Sequence, residues 1–317
     1  MIDFSLLTTW WQESGMSGKA NSLKTILFAL GANFAIFVAK LVAALLTGSG
    51  SMLAEAVHSL ADCGNQGLLL IGMRQAKRAA SPDHPLGYGM VVYFWSFLVA
   101  LLLFSVGGVF SFYEGVHKLH NPEPLRWPWL AIGVLAFSFV AESFSMWGCL
   151  REVRKARGGR NLWRWFRESR QSELIVVFGE DLAALFGLGL ALIAVIATLV
   201  SGNPLFDACG SIAIGVLLCV VAAFVGREVA SLLVGQSAEP RLREAIAKFV
   251  RAQPDVEHLF NLITLQLGPD VMVAVKAQMR GELSGRELIE AINRVEAAMK
   301  AQFPEIRWSF FEPDVAD

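Results

Sequence analysis

The chain has 317 residues, 55% of them hydrophobic and 17% charged, a net charge of −1 and a mean hydropathy of +0.50. A typical soluble domain is roughly 45–50% apolar and about 25% charged. These values exclude a purely soluble enzyme, a disordered chain and a disulfide-rich secreted fold, and the near-neutral charge carries no nucleic-acid signature. The four cysteines, Cys63, Cys149, Cys209 and Cys219, lie in apolar blocks and form no C-x-x-C pair. They read as small hydrophobes and not as disulfides or a zinc knuckle.

A membrane helix needs about 20 mostly apolar residues. Six blocks meet that requirement, at 24–47, 51–73, 90–112, 128–150, 174–200 and 205–226. The first begins well inside the chain and ends in TGSGS, so it reads as a span and not as a cleaved signal peptide. Topology follows the basic residues. Arg74, Lys77 and Arg78 follow span two, and Arg151, Arg154, Lys155, Arg157, Arg160, Arg164, Arg167 and Arg170 follow span four. The intervening loops are nearly bare, so both termini and the basic loop are expected on the cytoplasmic side, with the loop setting topology and touching anionic lipid. The expected division is an N-terminal segment 1–23, a six-helix domain 24–235 and a C-terminal domain 236–317.

The C-terminal stretch changes character. EPRLREAIAKFVRAQP has helical spacing, VEHLFNLITLQL and VMVAVKAQMR read as strands, and LGPD between them reads as a turn. SGRELIEAINRVEAAMKAQF predicts a helix with Ser284 as N-cap and Glu287 three residues on, a capping box. EIRWSFFEP is a last strand. The order αββαβ predicts a small α+β domain of about 75 residues. A domain of that size is marginal alone, and a second copy would bury its open face.

Ionisable residues inside apolar spans are costly and usually functional. Span two holds Glu55, His58 and Asp62; span four holds Glu142; span five holds Glu180 and Asp181; span six begins with Asp207. No basic residue sits among them, and Lys40 of span one is the nearest. Acids and an imidazole with so little fixed positive charge call for a cation. His58 and Asp62 are four apart, one turn apart on one helix face, and zinc accepts such N and O donors. Asp181 is the natural third ligand. Glu180, about 100° away around the helix, and Glu142 are candidate ligands, proton carriers or interhelical contacts. Glu55, three residues before His58, reads as a group that supports the ligands from behind or as a structural contact. Asp207 sits at a span boundary, as a cap where its own helix begins or as a second-shell group. His84, in SPDHPLGYG, belongs to a Pro/Gly-bounded turn or to a transient loop metal site.

The six spans, H-x-x-x-D in span two, DHPLGYG in the next loop, the acid in span five and the αββαβ tail together resemble the cation diffusion facilitator family across residues 24–315. AEAVHSLADCGNQGLLL, FRESR, GEDLAAL and GNPLFDACGS look closest to the divergent branch that contains the ninth human, mitochondrial, zinc transporter. The resemblance implies an all-α six-helix transmembrane domain plus a ferredoxin-like, metallochaperone-like cytoplasmic domain. It also implies a homodimeric secondary transporter, joined through that domain and the membrane helices, that exchanges Zn²⁺ for protons. Mn²⁺, Fe²⁺ and Co²⁺ remain possible cargoes.

The family takes two metal ligands from span two and two from span five. Here His58, Asp62 and Asp181 match, while the fourth position falls on Val177, leaving Glu180 or Glu142 to complete the set. In the loop site His84 matches and Tyr88 stands where a second His is usual. No tail histidines match, which implies a metal-poor dimerisation domain. A non-transporting subunit with a site decayed at Val177 is the alternative. An enzyme is disfavoured, because the chain has no H-E-x-x-H, and an ATP-driven pump is disfavoured by the lack of a Walker A sequence. The expected host is the bacterial inner membrane, or an organellar membrane if the source is eukaryotic.

Overall fold

A computed structural model describes residues 19–316, with side chains from residue 33 onward; most of the expected N-terminal segment 1–23 therefore lies outside the described residues. In chain order the elements are α1 (Lys19–Thr47), α2 (Gly50–Ala76), α3 (Val91–His120), α4 (Pro128–Arg157), α5 (Leu162–Glu168), α6 (Ser172–Ser201) and α7 (Leu205–Gly235). They are followed by α8 (Pro240–Arg251), β1 (Val256–Leu267), β2 (Asp270–Met279), α9 (Gly285–Gln302) and β3 (Ile306–Pro313). Four helical stretches among the described residues are long and apolar enough to cross a membrane: α3, α4, α6 and the stretch opening at Leu205. α2 is long enough, but Glu55, His58, Asp62, Asn65 and Gln66 dilute its apolar content. α1 is apolar over Asn33–Thr47.

The chain forms two compact units. One contains residues up to Ile71, Trp95–Asn161 and Glu173–Glu228. Its core draws on α1 (Ala43, Ala44), α2 (Met52, Ala54), α3 (Leu103), α4 (Leu135), α6 (Ala183, Leu188) and α7 (Ile214, Leu218). The alanines let the helices approach closely, which is how helices associate where lipid removes the hydrophobic drive between them. Two glycines sharpen this between α3 and α7. A Cβ on Gly115 would meet Ile212 and the Ala208 carbonyl, and one on Gly215 would meet the Phe112 backbone. The middle of α3, Leu103–Val109, is wound as a π-helix, a local loosening often found at functional sites. Outward faces carry exposed Phe137, Phe144, Phe186, Ile193 and Val220. Apolar area on that scale marks a surface that is not meant for water.

The other unit contains Gly72–Phe94, Leu162–Ser172 and Val229–Asp317. The loop after α2 and the basic segment thus fall in the same unit as the tail. Tyr93 explains part of this: its hydroxyl accepts from the Gly268 N–H (3.0 Å) and donates to the Gly268 carbonyl (3.2 Å). Arg170 donates from Nε to the Ser237 carbonyl at 2.7 Å.

The sheet has order β1-β2-β3, with β1 antiparallel and β3 parallel to the central β2. Alternation in β2 sends Val271, Val273, Val275 and Ala277 inward. There they meet Ile246 and Val250 of α8 and Ala291, Val295 and Met299 of α9. The LGPD turn forms as expected: Leu267 pairs with Asp270 and Gly268 adopts φ +69°, a conformation that glycine supplies at a two-residue hairpin. The opposite face aligns Ile263, Ala274 and Phe310 in one row and Leu265, Met272 and Trp308 in the next. Ile263 and Phe310 are each 56% exposed, which leaves an apolar surface on this face.

At the start of α9, Ser284 Oγ accepts from the Glu287 N–H while the Glu287 carboxylate accepts from the Ser284 N–H at 2.8 Å. The Ser284 hydroxyl, which donates to the same carboxylate at 2.7 Å, and the Ser284 N–H together hold the Glu287 carboxyl below the usual glutamate range. A depressed acid contributes stability that is complete above its unfolded pKa and is lost as pH falls through the lower folded value. Ser284→Ala is expected to cost the helix start about 1 kcal/mol. Hydrogen exchange at the Glu287 amide should then quicken near neutral pH, and the difference from wild type should shrink in acid.

Candidate metal centre

The site grows from one face of α2. Positions 55, 58, 62 and 65 follow helical spacing, so Glu55, His58, Asp62 and Asn65 form a polar stripe. Glu55, His58 and Asn65 are fully buried. His58 Nδ1 stands 3.6 Å from Asp62 Oδ1, beyond hydrogen-bond length. Both ring nitrogens of His58, and Asp62 Oδ1, have no hydrogen-bond partner. The edge of a tetrahedron with bonds of about 2.0–2.1 Å is about 3.4 Å. The two donors therefore stand near the spacing that a shared zinc ion imposes.

Acids on neighbouring helices face this pair. Asp62 lies within electrostatic reach of Glu142 of α4 and of Glu180 of α6, and Asp181 of α6 is within reach of both Asp62 and Glu142. Glu180 accepts from Asn65 Nδ2 at 2.5 Å, and Asp181 accepts from Ser145 Oγ at 3.3 and 3.4 Å. Cys149, one turn past Ser145 on α4, also bonds Asp181. Val177 is half-buried one turn before Asp181 and offers no donor. Among the described residues no three His, Cys, Asp or Glu side chains converge as a metal-holding group. The arrangement is a two-donor half-site with three acids on adjacent helices.

Asn65 and Ser145 are the residues that sequence reasoning missed. Asn65 continues the i, i+4, i+7 stripe from His58 and was detectable there. Ser145 carries no such signal, because its role depends on how α4 meets α6.

The structure gives partners to two further acids. Glu55 is paired with Lys40, whose Nζ lies 3.3 Å from its Oε2, with both side chains fully buried. Asp207 does not cap its own helix, which already begins at Leu205. Asn203 Oδ1 accepts from the Leu205 N–H at 3.0 Å at that start. Asp207 reaches instead to the start of α2, accepting from Ser49 Oγ (2.6 Å), the Gly50 N–H (2.6 Å) and Ser51 Oγ (2.5 Å). The first N–H groups of a helix lack internal partners and favour an anion, so a carboxylate from α7 settles there. His58 begins about 10 Å farther along α2 at 1.5 Å per residue. Lys118 completes the corner, 3.9 Å from Asp207 and bonded to the Gly48 carbonyl. His84 stacks on Tyr88, with ring centroids 4.4 Å apart.

Residues 26–234 match the cation efflux transmembrane domain. The chain belongs to the cation efflux, or cation diffusion facilitator, family. It is a multi-pass membrane protein of that family, and the named relatives are transporters and not enzymes. This cation efflux chain is 32% identical to the mitochondrial proton-coupled zinc antiporter SLC30A9 of Xenopus laevis over 265 residues, 83% of this chain and 47% of the relative. It is 32% identical to human SLC30A9 over 77% of this chain and 44% of the relative. It is 31% identical to metal tolerance protein C4 of Arabidopsis thaliana over 78% of this chain and 55% of the relative. The chain thus spans about half the length of these curated relatives.

The Asp207 corner of this family member carries its own test. Asp207→Ala strands two serine hydroxyls and a helix-start N–H, and should cost about 2–4 kcal/mol. Thermal unfolding of the full chain in detergent should drop by several degrees, and Asp207→Asn, which keeps an acceptor, should recover part of the loss.

Proposed function

We propose that this chain is a secondary active transporter that exchanges a divalent metal, zinc first among them, for protons by alternating access. One observation carries the reading: a buried imidazole with two unpartnered nitrogens beside an unpartnered carboxylate oxygen, at the spacing of metal donors. Buried polar groups are normally bonded, and a cation is the partner this pair lacks. His58 and Asp62 bind first, and Asp181 with Glu180 or Glu142 closes the shell when α6 and α4 shift. Because ligands bind metal in their deprotonated forms, entry of the ion expels protons, and reprotonation from the far side releases it. Competition at one site then couples the two flows without a separate energy source. The zinc antiporters named above support the choice of cargo, and the His/Asp donor mixture agrees with it.

In this reading α1–α4, α6 and α7 are the six spans, both termini lie on the cytoplasmic side, and protons are the counter-ion. The host membrane is a bacterial inner membrane or an organellar one. The apolar rows Ile263–Ala274–Phe310 and Leu265–Met272–Trp308 support a homodimer through the C-terminal domain. A second reading, a non-transporting subunit with a decayed site, draws on Val177 and on the open arrangement of the acids.

Asp62→Ala or Asp181→Ala in proteoliposomes is expected to abolish zinc-driven proton flux. Wild-type flux in both variants would remove the site assignment. Calorimetry on the purified wild type separates the two readings, because a decayed subunit binds no zinc in its membrane helices.

A further inference from the structure

The mechanism above leaves one buried charge unused. Lys40 is fully buried in α1, with Nζ 3.3 Å from Glu55 Oε2 and 2.8 Å from Ser59 Oγ. A buried ammonium is retained only where it is paired and hydrogen-bonded, and this one is both. The packing around its partner is equally close. Glu55 Oε1 faces Gly187 of α6 so closely that a Cβ there would collide with it, and Oε1 itself has no hydrogen-bond partner. Glu55, His58 and Asp62 lie at i, i+3 and i+7, on one stripe of α2. Glu55 therefore has the position and the free oxygen of a metal ligand, and only its charge is already matched.

We infer that Lys40 is a tethered cation that removes Glu55 from the ligand set, so that the stripe on α2 presents one cation position, at His58–Asp62, instead of two. Lys40 is a positioning and specificity residue: it touches no cargo and acts through Glu55. Its fixed charge stands where a second ion would otherwise settle and limits the carrier to one divalent ion per cycle. The inference rests on the transport reading of His58 and Asp62.

The test is zinc-binding calorimetry on the full chain in detergent, using zinc chloride. Wild type is expected to bind one ion in the membrane helices. Lys40→Met frees the Glu55 carboxylate, and should bind either a second ion or the first about tenfold more tightly, the order of effect of one unit charge beside a charged site. Lys40→Met combined with Glu55→Leu removes the pair as an apolar replacement, a change that buried ion pairs often tolerate, and should return binding to the wild-type stoichiometry and affinity. Lys40→Arg, which keeps the charge, should bind as wild type does. Identical binding in wild type and Lys40→Met overturns the inference while leaving the transport reading intact. Absence of zinc binding in wild type overturns the transport reading itself. If Lys40→Met fails to fold, Lys40→Gln takes its place: a second ion or tighter binding upholds the inference, and wild-type binding refutes it.

Discussion

Charge buried among apolar helices must be answered by opposite charge or by hydrogen bonds, and the membrane unit is organised around that requirement. Three answers occur in it. Asp207 is satisfied by the start of α2 and by Lys118. The charge of Glu55 is matched by Lys40 through Oε2. The His58 ring nitrogens and Asp62 Oδ1 are left without hydrogen-bond partners. The first two tie helices together; the third is where the proposed function places the transported ion.

The small residues serve the same requirement. Ala54, Ala56, Ala183 and Ala184 are buried on the two helices that carry most of the acids, and Gly187 leaves room for the Glu55 carboxylate. Bulkier side chains there would hold α2 and α6 apart and put the acids beyond each other's influence. Close packing also favours discrete rearrangements over continuous deformation, the mechanical property that the proposed alternating access would require.

The basic segment between α4 and α6 combines topology with structure. Arg160 is nearly buried and donates to the Arg157 and Ala156 carbonyls at 2.8 and 3.0 Å, closing the last turn of α4. Arg151 lies 3.7 Å over the Trp147 ring. Counting these arginines as one solvent- and lipid-facing patch would miss that some of them finish a helix or brace the unit containing the tail.

By itself the sequence determined the elements that depend on local periodicity and chemistry: the long apolar helices, the β1–β2 turn at LGPD, the capping box at Ser284 and Glu287, and the His58–Asp62 stripe. These follow from neighbours a few residues apart, and the chain carries that information directly. It also marked the acids as costly, because composition alone identifies a carboxylate in an apolar run. Only the tertiary structure decided which acid meets which partner. Lys40 and Glu55 are 15 residues apart, Asn65 and Glu180 are 115, and Ser51 and Asp207 are 156. Pairing across such distances is set by how helices cross, and helical periodicity says which face a residue lies on but not which helix will cover it.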